Sequence, residues 1–277
     1  MTDLASNAGP TVRRLSLPRV AGDPGRQMLA LAGLSAALLA MSLAAMLVDP
    51  RLLDGSGVWA KPAKFAASFL LYFVTLAWAI GRLGPSMREG RAMRWATVAA
   101  AVAFIVEMAW MIWQAGHGAH SHFNLATPLT RAMYSVMGVG AVTLIAVIAV
   151  TGEAVRRDHA VAMGPALRAG VVWGFWLSFL LTFVVAGYMS SGTGHHVGTP
   201  SAGAAVLPLT GWSAEVGDLR PAHFLALHAM QVLPLAGWWL DRRGSGPAAV
   251  RLAGGAYAVV TLAVFAQALM GLPLIRL

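Results

Sequence analysis

Between Gln114 and Asn124 the chain reads QAGHGAHSHFN, which places His117, His120 and His122 within six residues. Three imidazoles that close could hold a metal ion, because neutral imidazole is a ligand for zinc and iron. More chemistry-bearing residues lie elsewhere: Lys61 and Lys64 in WAKPAKF, Glu107 in FIVEMAW, His195 and His196 in GHHVG, and Asp218, Arg220, His223, His228 and Gln231 in GDLRPAHFLALHAMQ. Cysteine is absent. Disulfides, thiolate zinc sites, iron–sulfur clusters and covalently attached c-type haem are therefore excluded.

The elements that must position these groups follow from composition. The 277 residues are 58% hydrophobic and 11% charged, with a mean hydropathy of +0.67, well outside the range of soluble domains. The chain is expected to live in a lipid bilayer. A net charge of +9 invites nucleic acid as a partner, but the basic residues sit in short connections between apolar runs, where they report topology instead. Seven runs approach the roughly 20 apolar residues needed to cross as helix: 27–48, 62–80, 95–114, 130–150, 166–188, 222–240 and 252–270. Unbroken apolar runs favour helices over barrel strands, which alternate. The expected fold is all-α: a polar cytoplasmic tail over 1–26, then a seven-helix transmembrane domain over 27–277.

Arginine and lysine set the orientation. Of the 20, 14 fall on one side of this map, including Arg13, Arg14, Arg19, Arg82, Arg156 and Arg242, so the N-terminus is expected in the cytoplasm and the C-terminus outside. Histidine shows the opposite bias. Seven of the eight fall at the outer ends of helices or in outer loops, leaving His159 inside. The outer connection over 189–221 is rich in Gly, Ser, Thr and Pro and longer than ordinary connections, as a lid over a site would be.

Helical periodicity sorts the candidates by face. Glu107 and Gln114, seven apart, share a face with Met111 between them. Glu107 is the one carboxylate inside a predicted span, and either carries a proton or pairs with a cation, for which Lys61 and Lys64 are the candidates. Lys64, Ser68, Tyr72 and Thr75 form a polar stripe expected to face the bundle. His223 and His228 are five apart, about 140° round a helix, with His228 deeper and expected to be the more buried. Pro221 suits a first helical turn and Asp218 a cap before it.

WAKPAKF, SHFN, HHVG and the GDLR-x-x-HF-x-x-LH-x-x-Q pattern resemble an uncharacterised family of bacterial polytopic membrane proteins with seven spans. The resemblance runs from the second span to the sixth, implies the cytoplasmic (inner) membrane, and brings no known activity. In that pattern Lys61, Lys64, Glu107, Gln114, His122, Asn124, His195, Asp218, Arg220, His223, His228 and Gln231 match. His117, His120 and His196 depart from it, which weakens the local three-histidine cassette.

Two functional classes compete. In the first, an outward-facing pocket holds a divalent metal (zinc or iron) or haem b: His122, His195, His223 and His228 supply ligands, Glu107 and Asp218 the catalytic carboxylates. Lys64, Gln114, Asn124, Arg220 and Gln231 then position the cofactor, and a quinone or lipid is the substrate. In the second, the same groups bind a ligand or relay protons in a transporter, although no inverted repeat is visible. A third, non-catalytic reading makes them a polar network that pins the outer loop to the bundle.

Overall fold

The structure is a computed structural model that describes residues 22–192 and 194–276. Most of the predicted tail, with Arg13, Arg14 and Arg19, lies outside the described residues. Eight helices follow: α1 (Pro24–Val48), α2 (Ala60–Gly81), the one-turn α3 (Pro85–Arg88), α4 (Arg91–Gly116), α5 (Pro128–Arg157), α6 (Pro165–Ser191), α7 (Arg220–Arg242) and α8 (Pro247–Leu269). Local chemistry starts them. Proline stands at one of the first two positions of six of the eight, where its missing N–H costs nothing. Asp23 accepts from the Arg26 amide at 3.0 Å, and Thr127 and Thr130 form a reciprocal capping box at the start of α5.

Each predicted run lies inside a long helix, except that α8 ends at Leu269, one residue short of the prediction. All the long helices but α7 are apolar enough to cross a membrane. α7 has the length, 23 residues, but its histidines and Gln231 dilute its hydropathy.

The bundle closes through side chains that reach neighbouring backbones. Tyr72 on α2 donates to the Leu144 carbonyl of α5 at 2.8 Å, Tyr257 on α8 to Leu225 of α7 at 2.6 Å, and Gln231 on α7 to the Thr75 hydroxyl of α2 at 3.1 Å. Phe69 and Phe73 of α2 meet Phe104 of α4 edge-on, with centroids 4.9 and 5.0 Å apart, a favoured aromatic geometry. α6 and α7 approach most closely, because Gly170 and Gly174 on α6 and Gly237 on α7 carry no Cβ. A Cβ on Gly170 would strike the Leu233 carbonyl oxygen, one on Gly174 would lie 2.6 Å from that of Ala229, and one on Gly237 would strike that of Ala166. This is the small-residue contact by which helices associate where apolar burial gives little drive.

The ends of the helices gather into two faces. One, here the arginine end, joins Asp23 to Arg88 at 3.3 Å and sets the Asp241 carboxylate on the Ala166 and Leu167 amides that open α6, at 2.8 and 2.9 Å. The other is the histidine end. There a tight hairpin pairs β1 (Leu52–Leu53) with β2 (Ser56–Gly57); Asp54 and Gly55 at its tip both have positive φ, 50° and 75°, as a type I′ turn requires. The predicted lid is shorter than expected, because α6 continues to Ser191 and α7 opens at Arg220. Within it β3 (His196–Val197) runs antiparallel to β4 (Gly217–Asp218), with His196 opposite Asp218. This strap is pinned at several points. Lys64 Nζ donates to the Thr210 carbonyl at 3.0 Å, Arg220 to that of Gly211 at 2.7 Å, and a Cβ on Gly217 would strike the Ala268 carbonyl oxygen of α8.

Candidate functional site

Asp218 organises the strap. Arg220 Nε and Nη2 donate to its two oxygens at 2.9 and 2.6 Å, the Arg220 amide to Oδ1 at 3.0 Å and the Ser213 amide to Oδ2 at 2.9 Å. Burial alone would raise its pKa, but the hydrogen bonds and charge of Arg220, with the Ser213 amide, outweigh it and hold the carboxylate below its usual value. The helix α7 is not capped by Asp218 in the expected way: Leu219 is the N-cap residue, and Asp218 accepts the first helical amide from one position earlier.

His195 and His196 lie beside it, their rings 4.2 Å apart, and His196 Nε2 is 3.9 Å from Asp218 Oδ2. One donor atom from each of His195, His196 and Asp218 falls within 4.8 Å of the others. Sequence reasoning had set His196 aside in favour of His195. The strand pairing that puts it opposite Asp218 is a tertiary fact with no local signal. As a metal site the group has a chemical obstacle, since both oxygens of Asp218 already accept two or more hydrogen bonds. A cation would have to displace Arg220 and then sit beside its charge.

His122 occupies a different corner. Its Nδ1 is 3.0 Å from the Ser121 hydroxyl and its ring tilts on Phe65, centroids 5.6 Å apart. Burial, and then the charge of Lys61, push its pKa down to about 3. His195 is pushed down to about 4 by burial, then by Arg220 and His196, against Asp218. Both imidazoles are therefore neutral at physiological pH. Lys61 is the hub that joins the two corners, standing within electrostatic reach of Glu107, His122 and His195. It lines a small cavity of about 30 Å³ beside Met111 and Ser121, room for a water molecule.

Glu107 is 4% exposed, and its Oε1 has no hydrogen-bond partner. That oxygen lies against Gly140 of α5, where a Cβ would come within 2.9 Å of it. The position of Gly140 could not be read from sequence, because nothing local marks it. Of the two lysines named as candidate partners of Glu107, Lys61 lies within its electrostatic reach, while Lys64 turns to the strap.

The remaining candidates divide into pins and bystanders. Gln114 and Asn124 both donate to the His120 carbonyl, at 2.9 and 3.2 Å, so they fold the turn that carries His122. His120 itself is exposed, 3.5 Å from Asp54, and exposed His117 bonds to the Trp113 carbonyl at 2.8 Å. The three neighbours in sequence thus form no joint site. The polar stripe of α2 splits: Tyr72 and Thr75 face the bundle, whereas Lys64 and Ser68 are exposed. On α7 both histidines are half-buried. His228 stacks on the half-exposed Phe224 at 3.9 Å and bonds to that residue's carbonyl, whereas His223 buries an Nδ1 with no partner. Ser178 Oγ meets the Leu227 carbonyl at 2.8 Å. One turn nearer the histidine end, that register sets His223 level with Thr182, whose buried hydroxyl also lacks an acceptor or donor.

No known protein family, curated protein or solved structure matches the chain. Structure and composition establish a multi-span helical membrane protein, and the resemblance noted above stays a resemblance.

Proposed function

We propose that this protein binds a ligand at the histidine end and couples that binding to a proton on Glu107. One observation carries the reading: a buried carboxylate has an oxygen without a partner, and Lys61, which makes no hydrogen bond among the described residues, lies within electrostatic reach of that carboxylate. A ligand with an anionic or electron-rich group would meet both needs at once, Lys61 holding the charge and Glu107 giving or taking a proton. Neutral His122 and His195 would add hydrogen bonds without repelling it. The strap, tied by Asp218, Arg220 and Lys64, would roof the site.

In this reading α7 is the seventh span, the arginine end faces the cytoplasm and the histidine end the outside of a bacterial inner membrane. The excess of arginine at one end supports that orientation, as do Arg242 and Arg243, which stack over Trp238 and Trp239 at 3.9 and 4.4 Å in the manner of interfacial anchors. Native mass spectrometry of the purified protein tests the proposal. A small molecule should co-purify with the wild type and be lost from Lys61→Met and Glu107→Gln; equal occupancy in all three ends the reading.

A metal- or haem-dependent enzyme is the second reading, favoured by the donor group of His195, His196 and Asp218. It needs Arg220 to swing off Asp218. Elemental analysis and a visible spectrum decide it: stoichiometric zinc or iron, or a Soret band, lost in His195→Ala, would displace the first reading.

A further inference from the structure

An apolar groove of about 730 Å³ runs along the outside of the bundle between α4 and α5. Its floor is made largely of small side chains, among them Ala96 and Ala99 on α4 and Gly138 and Ala146 on α5. On α5 it extends from Ser135 to Val150, about 22 Å of helix. That exceeds one leaflet of a hydrocarbon core about 30 Å thick. Both hydroxyls in its lining are already used: Ser135 donates to the Arg131 carbonyl at 3.3 Å and Thr143 to that of Val139 at 2.8 Å. Apart from the indole of Trp95, the lining thus offers only apolar contact.

Glu107 changes that. Gly140, against which its unpaired oxygen lies, falls between Gly138 and Val142 of the lining. It also lies three and seven residues before Thr143 and Val147 on one face of α5. A buried, unsatisfied carboxyl oxygen therefore lies against a glycine that neighbours the groove's lining on α5, with no Cβ on Gly140 to cover it. An unmet polar atom in such surroundings is costly unless something completes it.

We infer that the groove holds the chain of a lipid-soluble molecule whose carbonyl or hydroxyl head reaches Glu107 across Gly140. Protonated, Glu107 donates to a carbonyl; ionised, it accepts from a hydroxyl. The inference rests on the proposed ligand site and adds the ligand's class and its lateral entry from the membrane.

The test uses the full chain in nanodiscs with a decyl-tailed benzoquinone and its reduced, dihydroxy form as probes. Binding should be saturable in the wild type and at least tenfold weaker in Val139→Trp, which fills the groove from a position 69% exposed and leaves the core untouched. Gly140→Ala should weaken it as well. Non-saturable uptake, or equal affinity in Val139→Trp, overturns the inference, as does a dimer of the wild type that Val139→Trp abolishes, since a second copy would then own the groove. If Lys61→Met loses its co-purifying molecule but Val139→Trp keeps it, the placement of the chain fails while the ligand site stands.

Discussion

Glu107 on α4 and Gly140 on α5 fit against each other so closely that a methyl group on the glycine would come within 2.9 Å of the carboxyl oxygen. The carboxyl is the movable partner, because Oε1 is the far end of a flexible side chain. Gly140→Ala should therefore cost little stability, about 1 kcal/mol, yet shift the infrared carboxyl stretch of Glu107. An unchanged band in the alanine variant would mean that the two residues do not touch.

Asp218→Ala should loosen the strap. The Asp218 side chain is fully buried and Arg220 is 29% exposed, so the loss should be about 2–3 kcal/mol, below that of a wholly buried pair. Hydrogen exchange should rise over 194–219 and stay unchanged in the arginine-end half of the helices. The wild type should show the same loosening in acid. Asp218 has a lowered pKa, so its contribution is present above the unfolded value of about 4 and lost as pH falls below it.

His122 predicts a second acid sensitivity, beginning at higher pH. Its folded pKa of about 3 lies below the ordinary 6.5. The unfolded chain therefore binds the proton first, and stability falls as pH drops from about 6.5 toward 3. His122→Gln should flatten the melting temperature over that window in detergent. An equally steep profile in the variant would show that other groups cause it.

Arg220 predicts the behaviour of added zinc. While its guanidinium fills the lone pairs of Asp218, the wild type should bind zinc weakly at the strap. Arg220→Gln frees the carboxylate and removes a charge, so affinity at His195, His196 and Asp218 should rise by tenfold or more, as measured by calorimetry. Loss of affinity in that variant would instead make Arg220 a support of a genuine metal site.

Gly237 tests the packing of α6 on α7. Its missing Cβ faces the Ala166 carbonyl, and a backbone cannot step aside as a side chain can. Gly237→Ala should cost 1–3 kcal/mol or more by overpacking, seen as a lower midpoint of unfolding in mixed detergent micelles.

Hydropathy and proline placement made the long helices legible, because burial in lipid and backbone satisfaction act on each segment by itself. The one-turn α3 and the four two-residue strands were not legible. They are too short to carry a period, and their pairing depends on where the long helices bring their ends. The same division runs through the site. The map of spans singled out Glu107 as the one carboxylate within a predicted span and placed His122 and His195 with the other histidines at one end. Periodicity misjudged the upper part of the α2 stripe, because period identifies a shared face but not which neighbour covers it.

What the sequence by itself determined is therefore the class of molecule, set by the transfer of side chains between water and lipid, and the gathering of histidine at one end, read from the order of the spans. Which histidines meet a carboxylate, which lysine faces Glu107, and which glycine leaves room at its oxygen were decided by helices distant in sequence coming into register. Those choices depend on steric fit between α4 and α5, α6 and α7, and the strap above them, and short-range pattern carries no record of that fit.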